Sequence, residues 1–179
     1  MSIEGIRNYI AASDSLSAGG QPTEDEMAHL AKACFDVVIN LSPSDAECTQ
    51  EVEAGEANRL ELEYYTIPVS FQAPSKQDLQ RFFDVLDAAQ GKKIFVHCAD
   101  NCKASCFVAL YCQSRLNWSD EQAGEFIRKV WKPDDNWEKF IFRTRGKPRP
   151  VYADMQIKVV SRMRCGGKAV PPELLSLRG

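Results

Sequence analysis

Hydrophobic positions along this chain fall into short branched runs separated by longer stretches with helical spacing. Asp36 to Leu41 reads DVVINL, Leu62 to Val69 reads LEYYTIPV and Lys93 to His97 reads KIFVH. Each run has the length and β-branched character of a buried strand. Ser15 to Ala18 adds a short first strand after a polar lead, and Gly19-Gly20-Gln21-Pro22 turns the chain out of it. Thr23 followed by Glu26 is a capping-box pattern that predicts a helix over Glu24 to Cys34. Residues 49–58 predict a second helix with an acidic face. Ser75 with Asp78 opens a third over Lys76 to Gln90, where Leu79, Phe82, Phe83 and Leu86 recur at helical spacing, and Gly91 ends it. Ala104 to Arg115 predicts a buried helix, followed by candidates over Ser119 to Val130 and Asn136 to Phe142. Strands alternating with helices imply an α/β fold: a single three-layer domain with a central, mostly parallel sheet flanked by helices.

Composition changes this picture in one place. The chain has 179 residues and a net charge of -3, but residues 1-142 hold 13 basic and 23 acidic side chains and residues 143-179 hold 9 and 2. Those sums are -10 and +7, so the last stretch reads separately: a basic C-terminal extension, as an edge element, a contact surface or a partly disordered tail, with one candidate strand at Gln156 to Val160. No apolar run has the roughly 18 residues of a membrane span, and residues 1–9 lack an apolar signal core, so a cytoplasmic location is the expectation. Seven cysteines form an odd set, which suits a reducing compartment better than a disulfide framework. No GKS or GKT follows Gly19-Gly20, and Trp118, Trp131 and Trp137 read as packing groups rather than a base-stacking series, so no specific nucleic acid is expected.

The strongest chemical signal follows KIFVH. Cys98-Ala99-Asp100-Asn101-Cys102-Lys103-Ala104-Ser105 places a cysteine at the C-terminal end of a predicted central strand and before a helix. Open parallel sheets bind ligands there, and loop N–H groups together with a helix N-terminus can hold an oxyanion. Cys98 is the candidate nucleophile. His97 and Lys103 would add positive or hydrogen-bonding groups, although Cys98 also reads as an ordinary buried thiol and His97 as a support beneath the loop. Cys98, Cys102 and Cys106 recur every four residues, which suggests a redox pairing of Cys98 with Cys102 or Cys106. No second compact group of ligands accompanies them, so neither metal nor other cofactor is expected.

HCADNCKAS resembles the loop of the cysteine-dependent phosphatase superfamily of dual-specificity and tyrosine phosphatases. It is more similar to a small bacterial phosphatase-like group whose loop runs His-Cys, two residues, Asn or Gly, one residue, Arg. Ser17-Ala18-Gly19-Gly20-Gln21-Pro22-Thr23, DVVINL at Asp36 to Leu41 and Ile67-Pro68-Val69 resemble further elements of that group, so the similarity spans roughly residues 5–140. The resemblance implies a phosphatase-like domain over residues 1–142. It implies that Cys98 attacks a phosphoryl group to form a thiophosphate, with His97 behind it and Ala99, Asp100, Asn101, Cys102 and Lys103 as the phosphate cradle. The expected partner is a phosphate monoester or a phosphorylated protein.

Two positions depart from the pattern. Lys103 stands where the family has arginine, and a lysine is a point charge that cannot make the two-pronged guanidinium contact. Ser70 follows Ile67-Pro68-Val69 where relatives commonly carry the acid for the leaving group, and serine is a poor proton donor. Asp78 and Asp100 are the possible substitutes, with Asp78 more simply a helix cap and Asp100 repelling phosphate unless it points outward. Ser105 could hydrogen-bond the thiolate or cap its helix. Three functions remain open from sequence: a weak phosphatase, an inactive domain that binds phosphate or a phosphoprotein, and a sulfurtransferase with its shorter cysteine loop.

Overall fold

A computed structural model describes residues 3–43 and 47–145. A short 3-10 turn at Ile3–Gly5 leads into β1 (Ile10–Ser13) and β2 (Leu16–Gly19), and then α1 (Glu24–Lys32), β3 (Val37–Asn40), α2 (Glu47–Arg59), β4 (Glu63–Thr66), α3 (Lys76–Ala88) and β5 (Ile94–His97). Three helices follow: α4 (Cys102–Arg115), α5 (Asp120–Arg128) and α6 (Asp135–Thr144). The sheet order is β1-β2-β5-β3-β4. All neighbours are parallel except β1 and β2, which form an antiparallel edge.

The two faces of the sheet bury alternate residues, as the pleat requires. Val38, Tyr64 and Phe95 point to one side, where Ile6, Met27, Leu30, Phe35 and Ala57 pack over them from the N-terminal turn, α1 and α2. Val37, Ile39, Ile94 and Val96 face the other side, covered by α3, α4, α5 and α6. Helices therefore lie on both faces, and the three-layer α/β arrangement is the one observed. The helix α4 is buried from Lys103 to Cys112. A helix apolar on every side belongs in the middle of a layer, and α4 sits there, between the sheet and its neighbours α3, α5 and α6.

Element limits differ from expectation in physically simple ways. The Ile10–Ser13 strand was not anticipated, because IAAS is short and its burial only alternates between half-buried and exposed at the sheet edge. The third parallel strand ends at Thr66 rather than Val69. Pro68 has no N–H to donate, although Ile67 and Val69 still bond back to Asn40 and Leu41 through their backbone N–H groups. The capping pattern read at Thr23 is a complete capping box closed by Glu26, and Ser119 forms a second one with Gln122 at the start of α5. Ser75 caps α3 by accepting from the Asp78 N–H. The buried helix starts two residues early, at Cys102, because Asn101 adopts a left-handed conformation with φ 67° that turns the chain directly into it. The candidate strand at Gln156 to Val160 lies outside the described residues. No helix among the described residues is long and apolar enough to cross a membrane.

Candidate active site

The loop from Cys98 to Asn101 joins the C-terminal end of β5 to the N-terminus of α4, at the sheet end where ligands bind in open α/β folds. Asn101 gives α4 no side-chain cap, and the first intrahelical bond is Ser105 N–H to the Asn101 carbonyl. The backbone N–H groups of Cys102, Lys103 and Ala104 thus precede the regular ladder and carry the positive end of a 14-residue helix. A cleft of about 770 Å³ opens beside them, with Cys98, Ala99, Asp100, Cys102 and Lys103 on one side. Pro43, Pro68, Ser70, Phe71 and Gln72 form the rest. A larger groove of about 1010 Å³ between α5 and α6, around Trp131 and Phe142, contains none of the loop residues.

The outer side of the loop is tied to the segment before β1. Asn101 Nδ2 donates to the Asn8 carbonyl at 2.7 Å, and Asn8 Nδ2 returns a bond to the Asp100 carbonyl at 3.0 Å. Arg7 Nη1 meets Asp100 Oδ1 at 2.9 Å. Asp100 is thereby paired with a cation, which offsets the charge it would otherwise bring to the cleft it lines. Asn101 is fully buried and engaged with Asn8, so it shapes the loop rather than lining the cleft. Gly20 fits against the same loop: its N–H donates to the Arg7 carbonyl at 2.7 Å, and the next N–H, from Gln21, reaches the Ala99 carbonyl at 3.1 Å. A Cβ on Gly20 would lie 2.9 Å from that Ala99 oxygen, so only glycine permits this approach.

Beneath the loop, His97 is completely buried and its Nε2 lies 2.7 Å from Glu53 Oε1. The other carboxylate oxygen, Oε2, accepts from Asn40 Nδ2 and from the Tyr64 hydroxyl, each at 3.0 Å. Asn40 also donates to the Tyr64 oxygen at 2.9 Å, and its own Oδ1 accepts from the Ser42 N–H at 2.7 Å. Burial pushes the Glu53 carboxyl up, but the charge of His97 and hydrogen bonds from His97, Gln21 and Tyr64 outweigh it and hold the group below the ordinary value. Burial and the Glu53 charge push the Tyr64 hydroxyl in the opposite direction, far above the range of a free phenol.

Several side chains singled out from sequence are engaged with partners of their own; Lys103, Ser70 and Cys102 share the cleft with Cys98. Lys103 is buried and donates from Nζ to the Val69 carbonyl at 2.8 Å, which ties α4 to the cleft wall before Ser70. Ser105 donates to the Cys102 carbonyl at 3.1 Å, one turn back along its own helix. Ser70 lines the cleft and accepts from the Ala73 N–H at 3.2 Å. Asp78 accepts from Ser75 at 2.6 Å and lies 3.6 Å from Arg81, and it is not among the described residues lining the cleft. Burial first, then Cys98 and Asp100, push the Cys102 thiol up to about 11, and burial raises Cys106 further. Thiolate is therefore a minor form of both at neutral pH. Among the described residues no group of His, Cys, Asp and Glu could hold a metal ion.

The sequence reading missed Glu53, Tyr64, Asn40 and Phe71. Asn40 carried a signal, as the polar end of the otherwise apolar run VVIN. Glu53 carried none, being one of several glutamates in an acidic helix. Phe71 is a wall of the cleft, packed against Trp131 and Trp137 with centroids 5.7 and 5.8 Å away. Trp137 Nε1 and Asn136 Nδ2 hold that segment by donating to the carbonyls of Phe71 and Gln72.

Comparison with known proteins agrees with this fold. A DUF442 phosphatase-like protein from Shewanella putrefaciens CN-32 superposes with a TM-score of 0.71 at 29% identity, over 79% of this chain and 93% of that one. TpbA of P. aeruginosa, solved with phosphotyrosine, superposes at 0.63 and 15% identity, over 75% of this chain and 82% of that one. The core catalytic domain of the PP-IP phosphatase SIW14 from S. cerevisiae, solved with citrate, gives 0.66 and 14%, covering 76% and 85%. The last two share the fold alone. No curated protein sequence matches the chain. The family model described as DSP-PTPase phosphatase fused to NAD+ kinase matches residues 8–135, well over half the chain, and the protein belongs to that family of the dual-specificity and tyrosine phosphatase superfamily.

Proposed function

We propose that the protein hydrolyses phosphate monoesters by using Cys98 as a nucleophile, with a strong preference for esters whose leaving group departs without an acid. The observation that carries this reading is the position of Cys98 in the cleft beside the N-terminus of α4, where the helix has no side-chain cap and its first amides face the loop. A bound phosphoryl group would take hydrogen bonds from those amides, with Lys103 in the cleft wall adding charge. The Cys98 sulfur attacks phosphorus as the ester oxygen leaves with the bonding pair and takes a proton from solvent. Water then attacks phosphorus, the S–P bond breaks, and orthophosphate and the thiolate are released. The substrate is a small phosphate monoester or a phosphorylated protein side chain.

Among the described residues, the one acidic side chain lining the cleft, Asp100, is already in an ion pair. Asp100 is paired with Arg7, and Ser70 occupies the wall where a leaving-group acid would serve. General acids contribute about 10²–10⁴-fold to such steps. An aryl phosphate is therefore expected to turn over at least about a hundredfold faster than an alkyl phosphate. Cys98→Ser is expected to lower the aryl rate at least about a hundredfold. Steady-state phosphate release from both esters tests this, and equal rates for the wild type and Cys98→Ser would overturn the assignment. A second reading, binding of a phosphorylated partner without turnover, draws on the Lys103 bond to the Val69 carbonyl, which directs the ammonium to the protein backbone. Saturable orthophosphate binding with no Cys98-dependent hydrolysis would favour it.

A further inference from the structure

We propose that Glu53 is a positioning residue for the Cys98 loop: its carboxylate joins His97, the residue before the nucleophile, to Asn40 at the end of the neighbouring strand, and so locks the two strand ends that bound the cleft. This rests on the reading of Cys98 as the nucleophile. The strands β3 and β5 are parallel neighbours, with Asn40 opposite His97 in the register. Beyond those two residues the chains separate, one into Cys98 and the loop, the other into Leu41, Ser42 and the cleft residue Pro43. Glu53 reaches both from α2. One oxygen meets His97 Nε2 at 2.7 Å, and the other accepts from Asn40 and Tyr64. Asn40 passes the restraint on by accepting from the Ser42 N–H at 2.7 Å. A further side chain of the same helix, Gln50, donates to the carbonyls of Ser42 and Pro43 at 3.2 and 3.1 Å.

The site demands a carboxylate. Asn40 and Tyr64 donate to one oxygen and the His97 Nε2 stands 2.7 Å from the other, and only an ionised acid offers acceptors alone to all three. An amide at this position turns an NH₂ group either toward His97 or toward the Asn40–Tyr64 pair. Glu53 is 7% exposed and His97 is 0% exposed, so neither water nor rotation relieves the mismatch. Small displacements of a nucleophile are expensive, about a hundredfold for roughly 1 Å. The effect falls on the chemical step more than on binding, because the amides of α4 are left in place.

The test uses the whole protein and the Glu53→Gln variant. The chain has two histidines, so a His29→Gln background leaves His97 as the single imidazole signal in nitrogen-15 NMR. In the folded protein Nε2 is expected to carry a proton, directed at Glu53. In Glu53→Gln the His97 signals shift, and kcat for an aryl phosphate falls at least about tenfold with KM within about threefold. An unprotonated Nε2 in the wild type overturns the proposal, even should the variant fail to fold. So do unchanged His97 signals in the variant, or shifted signals with kcat intact. If the wild type is no faster than Cys98→Ser, the phosphatase reading has failed, and the His97 signals still decide whether Glu53 holds the loop.

Discussion

At the scale of single residues, the candidate site is distinguished by how it handles charge. Lys103, where the sequence resemblance leads one to expect arginine, offers one ammonium instead of a fork of donors, and that ammonium bonds to a carbonyl. Glu53 is the opposite case, a buried anion with one oxygen accepting from Asn40 and Tyr64 and the other 2.7 Å from the His97 imidazole. Burying a carboxylate is costly, and partners must offset the cost. Here they do more than offset it, so the folded carboxyl sits below its ordinary value of 4.5. A depressed acid contributes stability that is complete above its unfolded value and is lost as pH falls through the folded one. Acidification below about pH 5 is thus expected to lower the thermal midpoint of the wild type more steeply than that of Glu53→Gln, as followed by circular dichroism. Parallel pH slopes would show that Glu53 is not held in this way. None of this was legible in the sequence, where Glu53 is one acid among neighbours on an acidic helix. A charge becomes interpretable only when the fold supplies its partner, and His97 lies 44 residues away along the chain, the difference between the two residue numbers.

At the scale of elements, most of the arrangement could be read in advance, because it rests on local signals. Caps at Thr23, Ser75 and Ser119 start helices where side chain and backbone satisfy one another without any distant partner. The runs DVVINL and KIFVH become adjacent central strands because both faces of each are buried. The edge strand Ile10–Ser13 was invisible for the converse reason: half exposed, it owes its pairing to β2 rather than to its own composition. The Gly19-Gly20 pair looked like a turn and is in fact a packing requirement. A Cβ on Gly19 would meet the Phe95 ring at 2.8 Å, and one on Gly20 would meet the backbone of the Cys98 loop. Gly20→Ala is expected to destabilise the fold by about 1–3 kcal/mol, the usual cost of overpacking. It should also lower aryl phosphate turnover, because the Ala99 carbonyl must move. Denaturant titration and steady-state rates measure both, and a variant matching the wild type in both would refute the close approach.

At the scale of the whole molecule, a net charge of -3 conceals an acidic body in which the proposed phosphate site is a local exception. Residues 1-142 sum to -10, so general attraction of phosphate is absent, and any recognition must come from the amides and the lysine at one end of the sheet. That division of labour is built by the three layers. The sheet brings the end of β5 beside those of β2 and β3, α2 supports the loop from one face, and α4 supplies the helix terminus from the other. The position of the nucleophile candidate was legible from sequence because it depends only on a strand, a cysteine and a helix in succession. The pairing of the candidate acids required the fold, since Asp100 and Asp78 declare their partners only in three dimensions. The central claim is that phosphate passes through the sulfur of Cys98. The most direct measurement is to mix the protein with p-nitrophenyl phosphate, quench it within a turnover and map the peptides by mass. A phosphoryl adduct on the Cys98 peptide, absent from Cys98→Ser, is the expected result; nitrophenol release with no adduct and at the same rate in Cys98→Ser would contradict it.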